Sequence, residues 1–200
     1  MLRDYDFIEI GTSDFDTLIQ KANDNTIGIS IEPLTHYLER LPSPKNCIKV
    51  NCAISFDGSA GKTNVYYIPE ELIESNRLAP WLRGCNSIGD YHYQHTTQNI
   101  KHLVNINEVD QVPLSKILDD NHVRGISLLK IDTEGGDCYI LQSFVPYLES
   151  HTKEYWPKRI LFESNILTPE NIIQETVDIY QELGYNLIRR DNENALLGLL

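Results

Sequence analysis

The chain lacks the cysteine spacing of a metal or disulfide framework. Cys47, Cys52, Cys85 and Cys138 are its only four cysteines, and no two of them form a CxxC pair. They read as reduced core thiols in a reducing compartment. Positive charge is scarce: 17 Lys and Arg stand against 29 Asp and Glu, a formal net charge of −12. Without a basic stripe, a nucleic-acid partner is disfavoured, and an anionic membrane surface fits no better. No apolar run approaches the roughly 18 residues of a membrane span, and the first residues carry alternating charge where a signal peptide would be apolar. The expectation is a single cytoplasmic domain over residues 1–200, whose 41% hydrophobic content suffices for one core.

What is present starts at residues 6–18, Asp-Phe-Ile-Glu-Ile-Gly-Thr-Ser-Asp-Phe-Asp-Thr-Leu. An apolar β-prone run turns at Gly11 into a helical pattern from Phe15, with Phe15, Leu18, Ile19 and Ala22 on one face and Asp14 and Asp16 in the first turn. Nucleotide-type cofactor sites of α/β proteins begin this way. A second strand, 27–31, ends in Glu32-Pro33 and precedes a short helix around Tyr37, Leu38 and Leu41. Residues 47–56 read as a third strand, with the alternating run 64–68 pairing back on it. From 69 to about 110 the periodicity fails, and an irregular, structureless connection that long reads as a functional insertion or a lid.

Order returns with a helix near 114–119, a strand at 126–131, and a helix striped by Leu141, Phe144, Val145 and Leu148. A strand at 159–162 follows, then a helix capped by Thr168 with Pro169 at its first position and stopped at Gly184. Residues 186–189 and 195–199 flank an Asn/Asp turn as a hairpin. The order predicts an α/β fold: a mainly parallel sheet with helices on both faces and an antiparallel C-terminal hairpin. Ligands then belong at the C-terminal strand ends.

Polar residues gather at those ends. Glu32, about 20 residues past the glycine turn, is placed to accept the hydroxyls of a ribose. A pyrophosphate is disfavoured, because the further glycines of a dinucleotide loop are missing and Asp14 and Asp16 would repel it. A sulfonium and an ammonium would instead welcome Glu9 and its neighbours. Gly58-Ser59-Ala60-Gly61-Lys62-Thr63 imitates a P-loop, but position 56 is Phe56 and a strand pattern follows, so a hairpin turn is expected. In Asp132-Thr133-Glu134-Gly135-Gly136-Asp137 a helix N-cap role accounts for Asp137 but leaves Asp132 and Glu134 unexplained. Glu163 and Asn165 add oxygen ligands of the kind a hard cation takes. His92 and His95 are base candidates, and Trp81, Arg83, Tyr91 and Tyr93 suit stacking and hydrogen bonding on a sugar.

Phe7-Ile8-Glu9-Ile10-Gly11, Ile31-Glu32-Pro33, Val112-Pro113-Leu114-Ser115, Leu129-Lys130-Ile131-Asp132-Thr133-Glu134-Gly135 and Ile160-Leu161-Phe162-Glu163, in that order, resemble the FkbM-type family of S-adenosylmethionine-dependent O-methyltransferases. The resemblance covers roughly residues 6–190 and is most specific in the K-I-D-x-E-G stretch. It implies the Rossmann-like class I methyltransferase fold and methyl transfer to a hydroxyl, often on a sugar of a glycan or glycosylated product. It implies cofactor contacts at Glu9, Gly11, Thr12, Ser13, Glu32 and Ala53, a set that Asp14 and Asp132 extend. Where the family's first loop has a G-A-N-x-G character, the last glycine here is Phe15, read as the first core residue of the helix.

Within that reading Asp132, with His92 or His95, is the base for the hydroxyl. Glu134 joins Trp81, Arg83, Tyr91 and Tyr93 on the acceptor side. A divalent cation, magnesium or manganese, bridged by Asp132 and Glu163 is a variant. The absence of helices before the first strand suggests a minimal form or a domain excised from a larger glycan-modifying protein, fused to a glycosyltransferase or similar partner. Two rivals are a nucleotide-handling enzyme built on the Gly61-Lys62-Thr63 turn and a non-catalytic glycan- or partner-binding domain.

Overall fold

The structure, a computed structural model, describes residues 2–200. Its strands are β1 (Arg3–Ile10), β2 (Gly28–Ile31), β3 (Cys47–Val50), β4 (Ala53–Ile54), β5 (Gly61–Tyr67), β6 (Ser87–Ile88), β7 (Asn105–Val112), β8 (Val123–Ile131), β9 (Arg159–Glu163), β10 (Tyr185–Arg190) and β11 (Asn194–Leu199). Its α-helices are α1 (Leu18–Lys21), α2 (Thr35–Arg40), α3 (Glu70–Ser75), α4 (Tyr93–Thr97), α5 (Leu114–Asp120), α6 (Asp137–Ser150) and α7 (Glu170–Glu182).

Seven strands form one sheet in the order β10-β11-β9-β8-β1-β2-β3. All pairs from β9 to β3 are parallel, while β11 runs antiparallel to both β9 and β10. This is the Rossmann-like methyltransferase arrangement expected. Central β1 is buried on both faces, which is why it reads as a nearly continuous apolar run. Ile8 and Ile10 point into the main core with Leu129, Ile131, Leu141, Phe144 and Val177, whereas Phe7 packs on the other face with Ile19 and Leu38. Trp156 belongs to the main core, its Nε1 donating to the Leu148 carbonyl at 2.9 Å and its ring parallel to that of Tyr185. Among the described residues no helix is long and apolar enough to cross a membrane.

Several expectations about elements change. The third strand does not continue to residue 56: β3 stops at Val50, and β4 leaves for a second sheet of order β4-β7-β5-β6. The kink has a local cause, since the Asn51 amide donates to the Glu32 and Pro33 carbonyls and accepts from the Thr35 hydroxyl. β5 accordingly pairs antiparallel with β7, from Gly61 opposite Gln111 to Tyr67 opposite Asn105, and not with β3. The stretch 69–110 is not structureless either. It holds α3, α4, β6, most of β7 and 3-10 turns at Pro80–Gly84 and Lys101–Leu103. Most of it packs on a cluster of its own around Ile73, Leu82, Cys85 and Ile100, joined by Ile68, while Ile88 and Val109 pack against Leu34, Tyr37, Ala53 and Val65 from outside it.

Thr168 does not cap α7, which begins at Glu170 behind Pro169; its hydroxyl donates to the Gly135 carbonyl instead. The P-loop imitation is a turn in which the Asp57 carboxylate accepts from the Ser59 N–H and hydroxyl, and Lys62 pairs with Asp110 across the sheet.

Candidate active site

The site opens where β1, β2, β4 and β8 end. Gly11 has φ +75°, and a Cβ there would lie 1.9 Å from the Asp132 carbonyl oxygen, so only glycine lets these two strand ends close. The Gly11 N–H donates to Ile31 and the Asp132 N–H to Ile10, at 3.0 and 2.9 Å. Above them lies a cavity of about 260 Å³. Its lining gathers six of the expected cofactor residues: Gly11, Thr12, Ser13, Glu32, Ala53 and Asp132. Ile31, Pro33, Ile54 and Ile88 give it apolar faces.

Glu9 and Asp14 are not in that lining. Glu9 is fully buried, where it accepts from the Leu18 N–H at 2.9 Å and from Lys130 Nζ at 3.0 Å. Burial pushes its carboxyl up, against the pull of Lys130 and the Leu18 N–H. Lys130 reaches Asp132 as well, at 3.4 Å. Asp14 instead clasps Arg40 on α2 at 2.9 Å.

The helix after the first strand starts later than its apolar spacing suggests. Thr17 is the N-cap of α1 and exchanges hydrogen bonds with Gln20, so neither Asp14 nor Asp16 stands in the first helical turn. Phe15 is outside the helix, its ring under the Arg83 guanidinium at 4.8 Å and so close to Gly84 that a Cβ there would sit 2.8 Å from it. Phosphate is still disfavoured here, through other atoms. Glu32 takes the Ser13 and Leu34 N–H groups at 2.7 and 2.9 Å, Glu9 takes that of Leu18, and Thr17 takes that of Gln20. These carboxylates and the cap consume N–H donors that an anion would need. Burial raises the Glu32 pKa to about 7, although the Leu34 and Ser13 N–H groups lower it.

A second cavity of about 270 Å³ is lined by Phe56, Tyr91, His92, Tyr93, Ile166 and Leu167, among others. It shares Ser87, Ile88, Thr133 and Glu134 with the first, so the two meet across one wall. The chain turns tightly there: Glu134 has φ +56° and Gly135 +103°, and a Cβ on Gly136 would overlap the Phe56 ring. Tyr66 packs tilted against Tyr91 at 4.9 Å between ring centroids, and Lys101 Nζ stands over the Tyr91 ring at 4.7 Å. Trp81, 52% exposed, and Arg83 line neither cavity, contrary to expectation.

The histidines behave differently from simple base candidates. His92 is buried, its Nδ1 accepting from the Gln94 N–H at 3.1 Å and its Nε2 3.0 Å from Glu134 Oε2. A backbone N–H only donates, so Nδ1 carries a lone pair and the ring proton sits on Nε2, facing the carboxylate. The lone pair a base would use is therefore tied up. His95 is fully enclosed outside both cavities, and burial, helped by His92, lowers its pKa to about 4.

Asp137 is not the N-cap of α6 but its first residue. It is fully buried and accepts from the Thr133 N–H and hydroxyl and the Glu163 N–H, tying β8 to β9. Burial raises its pKa to about 6. Oxygens of Asp132, Glu134 and Glu163 lie within 4.8 Å of one another. Burial, then Glu134, Asp137 and Asp132, push Glu163 up to about 9. Asn165 donates to Glu163 at 2.6 Å and accepts from the Leu167 N–H, and it adds no free oxygen to the group.

Asn86, Ser87 and Ile88 also line the first cavity, short-element residues that carry no periodic signal in the sequence. Phe56 stands out there as a strand end and as the glycine missing from a P-loop, not as a cavity wall. Lys130, the counter-charge of Glu9, could have been found from the β1–β8 register, which sets Glu9 opposite Lys130. Compared with known families, the chain matches the one described as the methyltransferase FkbM domain over residues 9–187. A comparison with curated proteins finds no match.

Proposed function

The chain belongs to the FkbM methyltransferase family, and from that premise we propose that it is an S-adenosylmethionine-dependent O-methyltransferase acting on a sugar hydroxyl of a glycan or glycosylated product. The observation that carries the reading is the shared wall: a cavity with apolar faces and carboxylates meets an aromatic cavity at Ser87, Ile88, Thr133 and Glu134. The donor chemistry fits S-adenosylmethionine. N–H groups of the loop after β1 and of the start of α1 are taken by carboxylates, Glu32 and Asp132 line the cavity, and a cationic ligand is the complement. When bound, that cofactor supplies an electrophilic methyl group.

The chain's own residues do the rest by positioning. Glu32 would hold the ribose hydroxyls, with Gly11, Thr12, Ser13 and Ala53 around it and Asp132 at the cationic end. Tyr91 and Tyr93 would pack the acceptor ring. Holding donor and acceptor at near-attack geometry supplies much of the rate. A magnesium or manganese ion suits the carboxylate group less well. Lys130 already stands 3.4 Å from Asp132, His92 faces Glu134, and Asn165 takes Glu163. Activity abolished by EDTA and restored by magnesium would reverse that judgement.

Calorimetry with S-adenosylhomocysteine, followed by labelled S-adenosylmethionine and a glycan panel with the methyl located by mass spectrometry, tests the reading. Micromolar binding and label on a sugar oxygen are expected. Tight ATP binding without S-adenosylhomocysteine binding would favour a nucleotide enzyme.

A further inference from the structure

Of the residues in the wall between the two cavities, one offers both an ionisable side chain and an open acceptor. The Thr133 hydroxyl donates to Asp137 at 2.6 Å and the Ser87 hydroxyl to the Asp90 carbonyl at 2.7 Å, so both are committed. Ile88 is apolar. Glu134 Oε2 takes the His92 Nε2–H, while Oε1 accepts from no group among the described residues. The backbone of Glu134 is left-handed, an arrangement that costs a non-glycine residue free energy and recurs at functional sites. It turns the side chain into the wall that both cavities share.

His92 supports this geometry from behind. Its side chain is 3% exposed, and its Nδ1 is pinned by the Gln94 N–H at the start of α4. That contact fixes the tautomer and aims Nε2–H at Glu134. Asp132 lines the first cavity and not the second, and it is drawn to Lys130. It stands on the donor side.

We infer that Glu134 is the general base for the acceptor hydroxyl and that His92 is its positioning residue, an assignment that rests on the O-methyltransferase reading. The acceptor O–H proton passes to Glu134 Oε1. The oxygen lone pair forms the new C–O bond with the methyl carbon, the S–C bonding pair returns to sulfur, and Glu134 then releases its proton to solvent.

Three variants test this. Glu134→Gln keeps the shape but cannot take a proton, and it should lower kcat on methyl glycosides ~100- to 1,000-fold while S-adenosylhomocysteine affinity stays within about threefold. His92→Gln keeps an N–H donor near Nε2 and should lose only ~10-fold in kcat, whereas His92→Ala should lose more. Were His92 itself the base, the glutamine variant would be as inactive as Glu134→Gln, and that result would overturn the assignment. So would full turnover by Glu134→Gln.

A readout without acceptor comes from the ¹⁵N signals of the His92 ring, which should show a protonated Nε2 and an unprotonated Nδ1; the opposite tautomer overturns the positioning role. Wild-type protein that binds no S-adenosylhomocysteine would defeat the methyl-transfer reading itself, and the ring signals would still judge the His92 geometry separately.

Discussion

The two cavities are built on opposite plans. Around the first cavity, the ends of β1, β2 and β8 in the main sheet set the floor, and the buried carboxylates Glu9 and Glu32 are held by backbone N–H groups and Lys130. Around the second cavity, elements as short as the two residues of β6 and the five of α4 rest on small separate clusters, and Tyr93 is 52% exposed. A ligand common to many enzymes suits a rigid frame. One that differs among them suits elements whose replacement leaves the main sheet intact.

The comparison breaks first at Gly11. Gly11→Ala must move the Asp132 carbonyl and accept a positive φ, and a loss of about 4 kcal/mol or more in urea unfolding is expected; a variant as stable as wild type would mean that the two strand ends are not rigidly closed. Next is Glu32→Gln, which sets an amide N–H against the Ser13 or Leu34 N–H. S-adenosylhomocysteine affinity should fall ~10- to 100-fold by calorimetry. Affinity of the wild type should rise as the pH passes about 7 and Glu32 ionises.

A smaller effect concerns stability against pH. Glu32 and Glu163 are raised in the folded state, to about 7 and about 9 from 4.5, so the native protein binds more protons than the unfolded chain between those values. Their stabilisation is full below about pH 4.5 and is lost as the pH rises through 7 and then 9. Glu163→Gln should flatten the upper part of that loss and add on the order of 1–2 kcal/mol at pH 8. No change in the slope would remove Glu163 from the account. Trp81→Ala should do least, under about 0.5 kcal/mol in unfolding and no change in turnover, since its side chain lines neither cavity. Lost turnover there would make the acceptor side larger than described.

Legibility in the sequence followed the same division. The parallel strands, the glycine turn and Glu32 were readable because burial on both faces leaves apolar runs and because a strand end fixes what stands beside it. The helix start was misjudged because Phe15 matches helical spacing while packing against Arg83 and Gly84. β7 gave little signal because Val109 is the one buried residue in its eight, and its partner β5 lies some 40 residues away. His92 and His95 look alike on paper. Only the tertiary contacts separate a ring aimed at Glu134 from one enclosed without a hydrogen bond.

The two tryptophans of the chain fall one on each plan. Trp156 is sealed against Tyr185 in the main core, and Trp81 stands half in water beside the short elements. An indole in an apolar, hydrogen-bonded interior emits at shorter wavelength than one in solvent, so the intrinsic fluorescence of the unmodified protein carries two colours. The blue component follows the parallel sheet and the red one the short elements around the Pro80–Gly84 turn, and their separate transitions in a single titration would show which part yields first.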